Sequence, residues 1–142
     1  MPSLSTLDEL PVEFTVLLQT AIDAEQAAIG HQRRSAFRTT RYVIGALIAA
    51  GTAPAVIAAL TGTVEGSVRS RATPGGIIAP EHFALLARIP STEIRHWADT
   101  GLLPALSTDA GGTIGYPAED LVRALHETRT ATPDRTVIPS AS

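Results

Sequence analysis

Apolar residues recur along this chain mostly at helical spacing. Phe14, Leu17, Leu18, Ala21, Ile22, Ala28 and Ile29 fall three and four positions apart, which predicts an amphipathic helix over residues 11–29. Pro11 suits its first turn and Gly30 its end. A second helix is predicted from about Ser35 to Ala50, stopping at Gly51. Thr52 reads as the cap of a third helix, with Pro54 in the first turn, Val56, Ile57 and Leu60 on its apolar face, and Gly62 as its stop. A fourth starts at Thr63 or Val64 and ends near Ala72, with Val64 and Val68 turned inward.

Thr73-Pro74-Gly75-Gly76 is the clearest break. Ile77 and Ile78 then suit a short strand or a docking contact. Helices follow at Pro80 to about Ala87 and at Ser91 to Thr100, where Ser91 reads as a cap, Ile94 and Trp97 face inward, and Gly101 gives a left-handed stop. Residues 103–116 hold Pro104, Asp109, Gly111, Gly112 and Gly115, predicting a hairpin that turns near 109–112. A last helix is expected from Pro117 to about His126. The tail from Thr128 has the Thr, Pro and Ser content of a disordered segment.

The expected fold class is mainly α. It consists of tandem helix-turn-helix units, the second with a small β wing. The divisions are an N-terminal helix (1–30), a first unit (31–73), a linker (74–79), a second unit (80–127) and the tail (128–142). The N-terminal helix is expected to pack on the first unit or to make a homo-oligomer.

Composition narrows the function. Aromatics are 4% of the 142 residues and alanine is abundant, which favours closely packed helices. The absence of cysteine excludes disulfides, thiolate nucleophiles and cysteine-bound zinc, and it fits a reducing cytoplasm. Asp8, Glu9 and Glu13 and the lack of a basic start speak against a secretory signal, so a cytoplasmic location is expected, on the nucleoid when DNA is bound. Arginine stands at every Lys/Arg position; with the many alanines this suggests a GC-rich coding genome. Tyr42 to Val64 carries no charge and is long enough to span a bilayer, with Arg33, Arg34, Arg38 and Arg41 just before it. Gly51-Thr52-Ala53-Pro54 breaks that run at its centre, so two short buried helices are expected and no membrane contact.

Charge is uneven. The net charge of -3 divides into -5 over residues 1–30, +5 over 31–72 and -3 over 73–142. An acidic protein can therefore present a basic face, and local phosphate neutralisation governs nucleic-acid affinity. Within the basic segment, Gly66-Ser67-Val68-Arg69-Ser70-Arg71 would bury Val68 and present Ser67, Arg69, Ser70 and Arg71 to bases and phosphates. The run is similar to the Gly-Thr-Val-Lys-Ser-Arg run of the helix-turn-helix in region four of bacterial sigma factors and in response regulators. A plain helical hairpin has the same pattern. Arg34, Arg38 and Arg41 share one helical face and, with Arg33, suit phosphate contacts.

The second unit carries Ile94-Arg95-His96-Trp97, then Gly101-Leu102-Leu103-Pro104, then Tyr116-Pro117-Ala118-Glu119-Asp120-Leu121. Over about 45 residues this resembles the winged helix-turn-helix of the mercury-resistance-regulator (MerR) family and of excisionase-like proteins. The resemblance implies DNA contact by Arg95, with Thr92 and His96 on the same outer face, a core role for Trp97 and a wing over 103–116. The family wing usually carries arginines; here the nearby positions are Leu106, Ser107, Thr113 and Ile114, and the wing offers Asp109. The family's long dimerisation helix and effector domain also have no counterpart. The expected function is a double-stranded DNA-binding protein, a transcriptional regulator or another site-specific factor. The alternative is an adaptor whose winged unit binds a protein, with DNA contact only through the first unit or not at all. No phosphate loop, metal-spaced histidine set or catalytic triad order is present in the sequence, so no cofactor and no enzymatic activity are expected.

Overall fold

A computed structural model describes the backbone of residues 10–141 and the side chains of residues 10–130. Pro11 precedes α1 (Val12–Ala27), which buries Phe14, Leu17, Leu18 and Ala21. Gly30, at φ 63°, turns the chain directly into α2 (His31–Ala49). That helix begins before Ser35, the expected start, so Arg33 and Arg34 belong to it. The uncharged run after Arg41 is divided between the end of α2, a turn and α3 (Pro54–Thr61). Among the described residues no helix is long and apolar enough to cross a membrane. Gly62, left-handed at φ 72°, closes α3 and leads into α4 (Glu65–Arg71).

The chain continues through β1 (Ile77–Ile78), α5 (Pro80–Ala87), α6 (Ser91–Asp99), β2 (Ser107–Thr108), β3 (Ile114–Pro117) and α7 (Ala118–Ala141). The strands form one antiparallel sheet in the order β1-β3-β2, with Ile78 opposite Tyr116 and Ser107 opposite Gly115. The hairpin turns where expected. The Asp109 Oδ1 accepts from the backbone amides of Gly111 and Thr113, each at 2.9 Å. Past His126, α7 carries Thr128, Arg129 and Thr130 in its helix; from residue 131 the expected disordered tail lies outside the described side chains.

Three local expectations are corrected. Ala53, not Thr52, caps α3, and Pro90, not Ser91, caps α6; neither helix has a side-chain cap bond. Pro54 already stands at the first position of α3, where it brings a fixed φ and no amide that needs a partner. Ser91 lies inside α6, whose first backbone bond runs from the Glu93 amide to the Pro90 carbonyl at 3.0 Å. Val64 is 67% exposed, because it is the extended cap residue of α4 (φ -107°, ψ 157°) and so leaves the helical phase that buries Val68.

One continuous core runs from Phe14 to Leu125. α1 lies at its centre, against α2, α5 and α7. It packs on α2 and α3 of the first unit, as one of the two expectations for it has it, and reaches α5 and α7 of the second as well. Phe14, Leu17 and Leu18, each almost fully buried, contribute about 1.5–3 kcal/mol apiece. Phe83 and Trp97 meet edge to face at 6.5 Å beneath α5 and α6. Thr40, fully buried on α2, satisfies its hydroxyl on the Ala36 carbonyl at 3.0 Å.

Residues 73–79 are pinned to the body rather than strung between two halves. The Thr73 amide donates to the Arg41 carbonyl at 3.1 Å, the Gly75 amide to Glu119 Oε2 at 2.9 Å, and the Ala118 amide to the Gly76 carbonyl at 2.8 Å. Glycines permit the approach. A Cβ on Gly45 would stand 2.6 Å from the Thr73 carbonyl oxygen. One on Gly76 would enter the Tyr42 ring, and one on Gly115 would strike the Ile78 carbonyl.

Gly45→Ala is therefore expected to cost about 1–3 kcal/mol in denaturant unfolding, as overpacking does. Gly66→Ala, on an α4 face with open space, should instead gain about 0.5–1 kcal/mol. His82 supplies a second check. Burial lowers its pKa from the ordinary 6.5, so the folded state binds fewer protons than the unfolded chain. Its contribution is intact above that value and is lost as pH falls below it, towards the lowered folded pKa. Thermal midpoints measured from pH 7 downwards should fall, and His82→Gln should flatten that part of the curve.

Candidate nucleic-acid interface

α4 follows α3 after a three-residue turn, Gly62 to Val64, and Val68 anchors it to the core. With Val68 inward, Ser67, Arg69 and Ser70 are exposed. Arg69 pairs with Glu65 one turn back on the same helix. Both partners are largely solvated, so the pair is weak and a phosphate can replace the carboxylate.

Arg71 is placed otherwise. Its Nη2 donates to Glu25 Oε1 on α1 at 2.8 Å, and its guanidinium lies 4.2 Å from the centroid of the Phe37 ring on α2. The side chains of Arg71 and Glu25 are 24% and 15% exposed. The Arg71 Nε is buried with no hydrogen-bond partner among the described residues. Such an orphaned donor costs about 1–3 kcal/mol, which the ring contact and the ion pair offset. Arg41 is also drawn inward: its Nε donates to the Arg71 carbonyl at 3.3 Å. Of the six arginines singled out in residues 31–72, Arg33, Arg34, Arg38 and Arg69 are exposed.

These groups adjoin one another. Phe37 lies between Arg41 and Arg71 and within one turn of Arg34 and Arg38, so the arginine stripe of α2 meets the C-terminal turn of α4. A small hollow of about 70 Å³ is lined by Arg38, Tyr42, His82, Asp109 and Thr113, which brings the hairpin turn beside the same stripe.

α6 follows α5 after Arg88, Ile89 and Pro90. Arg88 closes α5 in the left-handed conformation, at φ 59°, and its Nε donates to Thr20 Oγ1 on α1 at 3.2 Å. Ile94 and Trp97 are buried, while Thr92, Arg95, His96 and Asp99 are exposed. Gly101, at φ 86°, ends the helix, and the Leu102 amide donates to the Trp97 carbonyl at 2.8 Å. Glu93 is taken by Arg129 of α7 through contacts of 2.6 and 3.2 Å. That hydrogen bond raises the Arg129 pKa above its ordinary value. Among the described residues no three metal-binding side chains form a ligand group.

The hairpin differs from a basic wing. Leu106 and Ile114 are 55% and 57% exposed, and the Asp109 carboxylate is occupied by its own turn. Leu106, Ile94, Ala98, Tyr116 and Arg95 border a hollow of about 160 Å³ between α5, α6 and the sheet.

The roles of Glu25, Phe37 and Arg129 were not foreseen from the sequence. In the sequence, the one signal for Phe37 is an aromatic side chain set between Arg34 and Arg38. Glu25 and Arg129 meet their partners across 46 and 36 residues, beyond any local spacing rule. No known protein family, curated protein or solved structure matches this chain.

Proposed function

We propose that this protein binds double-stranded DNA through α4 and the arginine stripe of α2. The carrying observation is the junction at Phe37, which Arg71 of α4 meets on α2, a helix that exposes Arg33, Arg34 and Arg38, while α4 exposes Ser67, Arg69 and Ser70. Arginines on a supporting helix suit phosphates, and serine and arginine on a short exposed helix suit base edges and backbone. α5, α6 and the β2–β3 hairpin are the second unit of the proposal, a winged helix-turn-helix like that of the MerR family. Three features support that part: the three-residue turn between the helices, the buried Ile94 and Trp97, and a hairpin that follows the second helix. Arg95, Thr92 and His96 are its contact residues. The proposed role is transcriptional regulation or another site-specific DNA function.

A second reading has its own observation. The exposed Leu106 and Ile114, in place of wing arginines, suit a protein partner on the hairpin. In that case the protein is an adaptor that touches DNA only through its first unit or not at all.

Salt titration of duplex binding tests the proposal. With Arg33, Arg34, Arg38 and Arg69 on phosphates, log affinity should fall against log salt with a slope of about -3 to -4, roughly a hundredfold between about 50 and about 200 mM. An affinity indifferent to salt would sink the DNA reading. Arg69→Ala should weaken binding and reduce the slope by about 0.9 if it meets a phosphate, or weaken one sequence selectively if it meets guanine. Arg95→Ala separates the two readings of the second unit: unchanged affinity and sequence preference leave the adaptor.

A further inference from the structure

We infer that Glu25, Arg71 and Phe37 form a clamp that positions α4, and that Arg71 acts on nucleic acid through this clamp and not by touching it. This inference rests on the DNA reading for its functional consequence, while the clamp itself stands on geometry. α4 has seven residues, too few to be a stable helix alone. Val68 is its one buried residue, and a single apolar anchor lets a helix swivel about its axis. The swivel is stopped at the C-terminal turn. There the Arg71 guanidinium is held at one edge by the Glu25 carboxylate and on its face by the Phe37 ring. The Arg71 carbonyl accepts from Arg41, and the Thr73 hydroxyl also donates to it, at 3.1 Å. Three helices thus converge on one side chain, and the rotation they fix decides where Ser67, Arg69 and Ser70 face.

The chemistry of the clamp requires arginine. A planar guanidinium can stack on a ring and donate sideways at the same time; an ammonium has the charge but not the plane. Glu25 matters as well. A carboxylate near a DNA-binding surface ordinarily weakens binding by repelling phosphate, whereas here its removal frees the helix that carries the contacts.

The test uses the full chain and a random-sequence duplex, with salt titrations of wild type, Glu25→Gln, Arg71→Lys, Arg71→Ala and Phe37→Leu. Amide hydrogen exchange over residues 67–72 is followed without DNA. Glu25→Gln should weaken binding by about tenfold, within the range of couplings between contacting residues, although it removes a negative charge. Arg71→Ala and Arg71→Lys should weaken binding alike, with the salt slope unchanged. All four variants should speed exchange in α4 and leave α5 to α7 as they were. Tighter binding by Glu25→Gln would overturn the clamp and make Glu25 a competitor of phosphate. A slope reduced by about 0.9 in Arg71→Ala, or full rescue by Arg71→Lys, would make Arg71 a direct phosphate ligand. If Arg71→Ala does not fold, Phe37→Leu carries the same comparison with every charge retained. If wild type binds no duplex, the DNA reading fails by itself, and exchange decides the clamp: α4 unchanged in Glu25→Gln and Phe37→Leu would overturn it.

Discussion

The close approach of residues 73–79 to the rest of the chain is the constraint on which the other features depend. Backbone lies on backbone at Gly45 and Thr73 and at Gly115 and Ile78, and a ring lies on backbone at Gly76 and Tyr42. No side chain larger than hydrogen fits at those three glycines without movement. Because the approach is so close, β1 can join β3, α2 can meet the sheet, and Glu119 of α7 can take the Gly75 amide. α1 completes the arrangement from the other side. It buries Phe14, Leu17, Leu18 and Ala21 and packs against both α2 and α5. The two candidate reading helices are therefore anchored in one continuous core, α4 through Val68 and α6 through Ile94 and Trp97.

Electrostatics follow from that packing more than from composition. The chain is acidic overall, yet several of its acids are engaged with particular partners. Glu25 holds Arg71, Glu93 holds Arg129, Glu13 contacts His126 at 2.7 Å, and Asp109 and Glu119 accept backbone amides. A carboxylate that faces a guanidinium has its charge balanced on the spot, whereas one that accepts a neutral amide keeps its charge but is fixed in place. The exposed arginines of α2 and α4 are left to set the local field, a more basic one than the net charge of -3 implies.

Much of the fold was legible because it is written in residues with strong local rules. Gly62 and Gly101 stop helices in the left-handed region, Pro54 and Pro80 begin them, and Asp109 to Gly112 turn the hairpin. Ile94 and Trp97 fell on the core by spacing alone. The misses have a common cause. Thr52 and Ser91 are good caps in isolation, but a nearby proline sets each helix start: Pro54 stands at the first position of α3 and makes Ala53 the cap, and Pro90 is itself the cap of α6. Val64 sits one residue outside its helix, where periodicity no longer applies. For the candidate interface, the exposure of Ser67, Arg69 and Arg95 could be read from helical phase. The burial of Arg71 could not, since it depends on a carboxylate and a ring brought from two other helices.

The glycine seam also separates two meanings of a unit. By resemblance the chain divides near residue 73 into two short motifs, each familiar elsewhere as a movable part. By folding it does not divide there. Ile78 is buried only while its strand keeps its register on Tyr116, and a single residue inserted between Thr73 and Ile78 would turn that side chain out of the core. Cutting the chain there would uncover α1 where it meets α5 and α7. The two helical pairs share one core, so a change at the seam reaches both.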